Sequence, residues 1–373
     1  MFERPKVGEK AIVISLDFGG FDNDDDTLEI TELTKSAGFD VAELITSKRT
    51  EPHTKFFVGS GKIQEILSMK TSLEAKTLIF NHELSPSQER NIEKITGMRV
   101  YDRTALILFI FSLRAKSYEG KLQVELAHLD HLSTRLVKGW SHLERQKGGI
   151  GVRGGPGEKQ IELDKRMLGI RIKQLKQKLS KLAKQRGMQR RARKRSQALS
   201  VSIVGYTNAG KSTLFNRLTH ESIYAEDKLF ATLDTTSRKL FIKPGHSIVI
   251  SDTVGFIKNL PTTLIESFKS TLEEVTDSDL LLHVIDITNE NKSEQIKQVE
   301  MILEEINANE LPQILILNQI DKINLKTSFE RDDYGKINHI QLSAKTGDGI
   351  EFLKQAIVEH NQTQINLRNG NYA

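Results

Sequence analysis

Eight consecutive residues, Gly205-Tyr206-Thr207-Asn208-Ala209-Gly210-Lys211-Ser212, carry the most specific chemistry in this sequence. The order G-x-x-x-x-G-K-S puts glycines where a backbone must curl so that its N–H groups face inward, toward phosphate oxygens. An apolar run at 200–204 precedes the loop and a helix-forming run starts near Thr213, so the loop lies between a strand and a helix N-terminus. Such a terminus itself favours negative charge. Lys211 is placed to neutralise the β- and γ-phosphates of a nucleoside triphosphate, and Ser212 to offer a hydroxyl to Mg²⁺.

Three later segments follow the same plan, a strand ending in polar residues. The run 248–251 ends in Asp252-Thr253-Val254-Gly255. There a carboxylate can hold Mg²⁺ directly or through water, and the Gly255 N–H can contact the γ-phosphate. The run 313–317 ends in Asn318-Gln319-Ile320-Asp321, where an Asp can accept from the N1–H and exocyclic amine of guanine. After the run 339–342 comes Ser343-Ala344-Lys345, where a backbone N–H can meet the guanine O6. Each piece alone is weak; four in order, each after its own strand, specify guanine nucleotides.

Elements that must position these residues are legible as alternating runs. The core strands of the nucleotide domain are expected at 200–204, 248–251, 280–285, 313–317 and 339–342. A separate alternation near the N-terminus predicts buried strands at 11–16, 41–45, 77–81 and 98–101, with helices at 26–36, 62–69, 87–95 and 104–114. Alternation of this kind favours a parallel sheet covered by helices. Between them, Leu122, Leu126, Leu129, Leu136, Trp140 and Leu143 share one helix face, as do Ile161, Leu168, Ile172, Leu175, Leu179 and Leu182. Two such seams predict an antiparallel helical hairpin. The expected domains are 1–115, an N-terminal parallel α/β domain; 116–198, a hairpin with its tip at 146–159; 199–362, a doubly wound, mostly parallel nucleotide domain; and a tail, 363–373. Residues 187–198 read as a polar, basic linker.

Charge separates the hairpin from the rest. The chain has 54 Lys and Arg against 49 Asp and Glu, yet residues 165–195 hold fourteen basic residues and no acidic one. A basic block on an otherwise acidic chain marks a polyanion-binding surface. The break between the helices has six glycines within ten positions (Gly148, Gly149, Gly151, Gly154, Gly155 and Gly157), more than a helical turn requires. The residues expected to meet that polyanion are Arg153, Gly154 and Gly155 at the tip and Lys173, Lys176, Arg190 and Arg191 on the second helix.

With 38% hydrophobic and 28% charged residues the composition suits a soluble globular protein. No stretch approaches the ~18 uncharged apolar residues of a membrane span, and the first residues lack the apolar core of a secretory signal. The absence of cysteine excludes disulfides and thiolate metal sites, and suits the cytosol. A cytoplasmic monomer is expected, at most peripherally associated with a membrane, with no DNA partner.

The motifs GYTNAGKSTLFN and DTVGFI, with Leu229-Phe-Ala-Thr232-Leu-Asp234 between them, resemble the translation-factor-related GTPases and the HflX family in particular. The likeness extends to Asp102-Arg-Thr-Ala-Leu-Ile-Leu, to 119–127 and to Gly154-Gly-Pro-Gly-Glu-Lys-Gln160. It implies a GTPase of the large ribosomal subunit that splits or rescues stalled ribosomes under stress, with GTP as substrate, GDP as product and Mg²⁺ as cofactor. By the same resemblance Thr232 is the threonine that meets Mg²⁺ and the γ-phosphate, so the metal set is Ser212, Thr232 and Asp252, and Lys211, Thr232 and Gly255 serve catalysis.

Three departures from the general pattern matter. Phe256 stands where Ras-like enzymes orient water with a glutamine, so hydrolysis should be slow without a partner. Gln319 replaces the usual lysine, and many relatives carry a further small C-terminal domain. An RNA-binding remodelling module gated by nucleotide is the alternative reading. A tRNA-modification GTPase is disfavoured because such enzymes use a cysteine. Gly59-Ser60-Gly61-Lys62 fails as a second phosphate loop, having Phe56 for glycine and Ile63 for serine, and reads as a structural turn. His128 and His131 read as ordinary helix histidines, and the acidic run 22–26 as a solvated loop.

Overall fold

In the computed structural model the described residues are 8–19, 23–146, 156–195, 198–219, 229–243, 246–258, 261, 264 and 268–368; for some of them, including 136–146, 156–161 and 189–195, only the backbone is described. The chain forms two compact units, Met1–Leu179 and Ser180–Ala373.

The first unit is built on β1 (Glu9–Asp17), whose residues 11–16 are all buried. That run, apolar but for Ser15, is what a strand covered on both faces requires. β1 pairs in parallel with β2 (Phe39–Lys48) and β3 (Thr77–Phe80), and β4 (Arg99–Tyr101) extends the sheet in the order β2-β1-β3-β4. The connecting helices are α1 (Asn23–Ser36), α2 (Ser60–Leu73), α3 (Pro86–Thr96) and α4 (Arg103–Arg114). α3 opens on a capping box, Ser85 with Gln88, followed by Pro86, and ends on Gly97 at φ +60°. Asp102 caps α4 through the Ala105 N–H at 2.8 Å. Both arrangements satisfy backbone groups that a helix end otherwise leaves open.

Two expectations need correction here. β2 is an edge strand, with Asp40, Glu43, Leu44 and Thr46 exposed, because nothing pairs on its far side. The acidic run is mostly helical: Asp24, Asp25 and Asp26 lie in the first turn of α1, where the helix dipole favours them.

α5 (Tyr118–Gln146) and α6 (Pro156–Arg195) form the helical region. Arg171 donates Nε and Nη2 to Glu125 Oε1 at 2.8 and 2.5 Å, a pairing that fits an antiparallel return. Leu122, Leu126 and Leu175 are buried and Leu129, Leu168, Ile172, Leu179 and Leu182 half-buried, as the seams predict. The side chains of Leu136, Trp140, Leu143 and Ile161 lie outside the described ones. The expected linker from 187 is instead helix as far as Arg195. A single glycine, Gly187, costs only about 1 kcal/mol in a helix, and the Met, Gln, Arg, Ala and Lys around it are good helix formers.

In the second unit seven strands lie in the order β10-β11-β9-β8-β5-β7-β6. β5 (Leu199–Gly205) and β8 (Leu280–Asp286) are central, flanked by β7 (His246–Asp252) and β9 (Gln313–Asn318). β11 (Ile337–Gln341) joins in parallel; the edges β6 (Thr236–Lys243) and β10 (Ser328–Arg331) run antiparallel to their neighbours. One face packs under α7 (Lys211–Thr219) and α10 (Ile350–Arg368) through Leu214, Phe215, Leu353 and Ile357. The other packs under α8 (Lys269–Thr276) and α9 (Lys292–Glu305) through Leu272, Val275, Val299 and Leu303. This is a doubly wound sheet, and its polar loops gather at the carboxyl ends of the strands, where such folds bind ligands.

Candidate nucleotide site

The loop after β5 has the backbone its glycines allow. Gly205 lies at φ +146° and Gly210 at φ +92°, both in the left-handed region that favours glycine. A Cβ on Gly205 would stand 2.2 Å from Val284 O, and one on Gly210 would stand 2.3 Å from Asn318 Nδ2. Between them Asn208 adopts φ +62°. The loop is tied to the segment after β7: Thr207 N–H donates to Phe256 O at 2.8 Å and Phe256 N–H to Gly205 O at 3.2 Å. Lys258 N–H donates to the Tyr206 hydroxyl oxygen at 2.6 Å, and Thr253 Oγ1 donates to Ile203 O at 2.6 Å. Val254 is buried beside them.

α7 opens directly from this loop with Lys211 and Ser212, and Thr213 follows in its first turn. Lys211 is 5% exposed and donates Nζ to Tyr206 O at 2.6 Å. Desolvation pulls its pKa down to about 8, against the opposing pull of Asp252. Beneath it on β8, buried His283 is brought down to about 4 by desolvation and by the Lys211 charge. A buried cation with only a carbonyl partner is one that an anion would stabilise.

Ser212, Thr232 and Asp252 form a triangle of oxygens. Ser212 Oγ and Thr232 Oγ1 donate to Asp252 Oδ2 at 2.7 and 2.8 Å, and the two hydroxyls lie 2.8 Å apart. Burial raises the Asp252 pKa, offset in part by Ser212, Lys211 and Thr232. Its second oxygen, Oδ1, is buried without a hydrogen-bond partner. Neighbouring ligands of an octahedral Mg²⁺ at 2.0–2.1 Å stand ~2.9 Å apart, so three hard oxygens at this spacing with a spare carboxylate oxygen fit that ion. Among the described residues there is no group of three or more His, Cys, Asp or Glu that could hold a metal.

The opposite end of the site is fastened by Asn318, which is 2% exposed. Its Nδ2 donates to Ala209 O at 2.9 Å and its Oδ1 accepts from Ala344 N–H at 2.9 Å, joining the glycine loop to the loop after β11. Gln319 sits at φ +70° and donates Nε2 to Asn208 O at 3.2 Å, so its amide bridges to the glycine loop without a charge. Ser343 Oγ donates to Asp321 Oδ1 at 2.6 Å. Ala344 N–H is thereby occupied, whereas Lys345 N–H has no acceptor among the described residues.

A cavity of about 320 Å³ connects the two ends. It is lined by Thr207, Gly210, Lys211, Ser212 and Thr213 at one end and by Asn318, Asp321, Ala344 and Lys345 at the other, with Thr232 and Gly255 at its side. A Cβ on Gly255 would press to 2.8 Å from Thr207 Cγ2 and 3.0 Å from Lys211 Nζ, so the backbone approaches there because the side chain is absent. Phe256, treated above as a residue standing in for a water-orienting glutamine, is 0% exposed and packs with Val204, Leu272, Val275 and Leu281. Its ring belongs to the core, and its signal is apolar packing.

Lys173 and Lys176 are exposed on α6. Arg190 and Arg191 lie on its backbone-only part, and Arg153, Gly154 and Gly155 lie outside the described residues. Sequence reasoning missed Arg217 in the last turn of α7, which donates Nε to Ala344 O at 3.1 Å and hydrogen-bonds Lys345 O through Nη2. No local signal marks it, since its partners are 127 and 128 residues away.

Comparison with known proteins agrees along the whole chain. Residues 24–112 match the family described as GTP-binding GTPase N-terminal, 114–193 the GTP-binding GTPase Middle Region, and 200–319 the 50S ribosome-binding GTPase. GTPase HflX of Escherichia coli (strain K12) is 49% identical over 360 residues, covering 96% of this chain and 84% of the relative. GTPase HflX of Caldanaerobacter subterraneus subsp. tengcongensis is 45% identical over 358 residues, covering 96% and 82%. A solved GTP-binding protein from the archaeon Sulfolobus solfataricus, in complex with GDP, aligns over 95% of this chain and 99% of its own at a TM-score of 0.50 and 26% identity.

Proposed function

The chain belongs to the HflX family of GTPases, and from that premise we propose that it is a GTP-driven switch that binds the large ribosomal subunit and splits or rescues stalled ribosomes. The observation that carries this reading is that one cavity has a buried lysine and an oxygen triangle at one end and Asp321 and the Lys345 N–H at the other. That is the spacing of charge and hydrogen-bonding chemistry that a guanosine phosphate presents.

In this reading the loop from Gly205 to Ser212 wraps the phosphates with inward N–H groups, and Lys211 leaves Tyr206 O to pair with them. Ser212, Thr232 and Asp252 would hold Mg²⁺, which would spread the charge of the departing phosphate. Gly255 offers its N–H to the γ-phosphate, and the Thr232 and Gly255 segments respond to that group's presence or loss. Asp321 and the Lys345 N–H read guanine, while Asn318, Gln319, Ser343 and Ala344 hold the loops that carry them. Residues 1–115, 116–198 and 199–362 act as sheet domain, basic hairpin and nucleotide domain. Lys173, Lys176, Arg190, Arg191 and the 146–159 tip meet rRNA, whose binding is dominated by phosphate neutralisation. The chain works as a cytoplasmic monomer; among the described residues no helix is long and apolar enough to cross a membrane.

The test is GTP turnover by the pure protein, alone and with purified large ribosomal subunits, at rising salt. Turnover should be slow alone and rise strongly with subunits, and the stimulation should fall as salt screens the basic helix. Normal GTP binding without stimulation would replace this reading with that of an RNA-binding module whose nucleotide state only gates affinity.

A further inference from the structure

Arg217 has no place among the residues that line the cavity, yet its guanidinium reaches two of them. It sits in the last turn of α7, the helix whose first turn carries Lys211 and Ser212. Its Nε donates to Ala344 O at 3.1 Å and its Nη2 bonds Lys345 O. Gly347, at φ +98°, lies beside the guanidinium: a Cβ there would be in ordinary contact with its carbon at 3.6 Å.

Peptide geometry gives this grip a direction. Ala344 C=O and Lys345 N–H belong to the same planar unit, no cis bond occurs among the described residues, and in a trans peptide the two groups point opposite ways. Fastening the carbonyl on the α7 side therefore turns the amide N–H the other way. Lys345 lines the cavity, and its N–H has no acceptor among the described residues. The neighbouring Ala344 N–H is already taken by Asn318 at 2.9 Å.

We propose that Arg217 is a positioning residue for base recognition: it holds the Ala344–Lys345 peptide so that the Lys345 N–H is presented to the 6-oxygen of a purine. This rests on the guanine-nucleotide reading of the cavity. It also makes α7 a strut between the two ends of the ligand, with phosphate chemistry at its first turn and the base loop held at its last. Because Arg217 is an exposed side chain donating to neutral carbonyls, the effect is modest, about fivefold in affinity.

The experiment uses the full chain and two probes, GDP and 2-aminopurine riboside diphosphate, which lacks the 6-oxygen. Arg217→Ala should weaken GDP binding about fivefold and leave the analogue within about twofold, narrowing the discrimination between them. Arg217→Lys, which keeps a donor on a long stem, should recover part of the loss. Arg217→Gln, which keeps more of the side-chain stem over the loop, reads the same ratio should the alanine variant fail to fold. Equal losses for both probes would make Arg217 a loop support and overturn the proposal, as would no loss for either. Failure of the unmodified chain to bind GDP at all would instead remove the nucleotide reading on which this rests.

Discussion

Two glycine–lysine turns open helices in this molecule, and only one of them makes a site. At Gly205–Lys211 two glycines take left-handed backbone, the lysine is buried, and the loop faces a cavity. At Gly59–Lys62 the backbone of Gly59 is extended, at φ −68°, and Gly61 has open space where a Cβ would go. Lys62 N–H turns back on Gly59 O at 3.1 Å, and its ammonium pairs with Glu65 at 2.7 Å on its own helix. In the proposed reading the same residue types serve phosphate chemistry in one place and a helix start in the other. What separates them is whether the backbone needs glycine and whether the lysine lacks a carboxylate neighbour of its own to pair with in the open.

The largest separation should come from the lysines. Lys211→Ala should lower GTP turnover by at least about a hundredfold, since it removes preorganised positive charge from a dry site, as kcat and KM measurements would show. Lys62→Ala should change turnover less than twofold and stability by less than ~0.5 kcal/mol, the scale of an exposed ion pair. A large loss from Lys62→Ala would erase the distinction drawn here.

The glycines come next and differ in sign. Gly210→Ala must place a Cβ 2.3 Å from Asn318 Nδ2 at φ +92°, so denaturant melting should show a loss of at least about 2 kcal/mol, with weakened GDP binding. Gly61→Ala sits in the first turn of α2 with nothing within 4 Å, so it should stabilise the chain by about 0.4–1 kcal/mol. Destabilisation by Gly61→Ala would mean that the N-terminal turn too needs its glycine.

The smallest effect is a pH dependence. Lys211 in the empty site loses its proton as pH rises through about 8, whereas pairing with phosphate favours the charged form. Nucleotide binding therefore takes up a proton above that pH, and affinity should fall as pH rises, by up to about tenfold per unit. Titration calorimetry in buffers of different ionisation enthalpy would detect the uptake. Lys62→Ala should leave the profile unchanged, and Lys211→Arg, which stays charged, should flatten it.

How much of this was legible beforehand follows from which constraints are local. The phosphate loop could be read because its backbone demands glycine at fixed positions, and the strands because buried parallel strands are mostly apolar. β2 was misjudged because edge exposure depends on which strand pairs outside it, something its own residues do not encode. Residues 187–198 read as a linker because they are polar and basic, but those residues are also good helix formers, and α6 continues through them as far as Arg195. Asn318 was legible as part of a base-reading motif, but its task of joining Ala209 to Ala344 was not, since that contact spans 109 residues on one side and 26 on the other.

Phe256 has a further consequence for how the segment beyond Gly255 can respond to its ligand. Its ring fills a slot among Val204, Leu272, Val275 and Leu281, and its amide and carbonyl are both held by the glycine loop. A close-packed interior does not yield by degrees; withdrawing a phenyl ring leaves a void worth roughly 3–5 kcal/mol. The residues before it, Thr253 and Val254, are buried as well, and Thr253 Oγ1 donates to Ile203 O at 2.6 Å, so the segment is held on both sides of Gly255. Any displacement at Gly255 large enough to unseat the ring would therefore also disturb Leu272 and Val275, and with them the packing of α8.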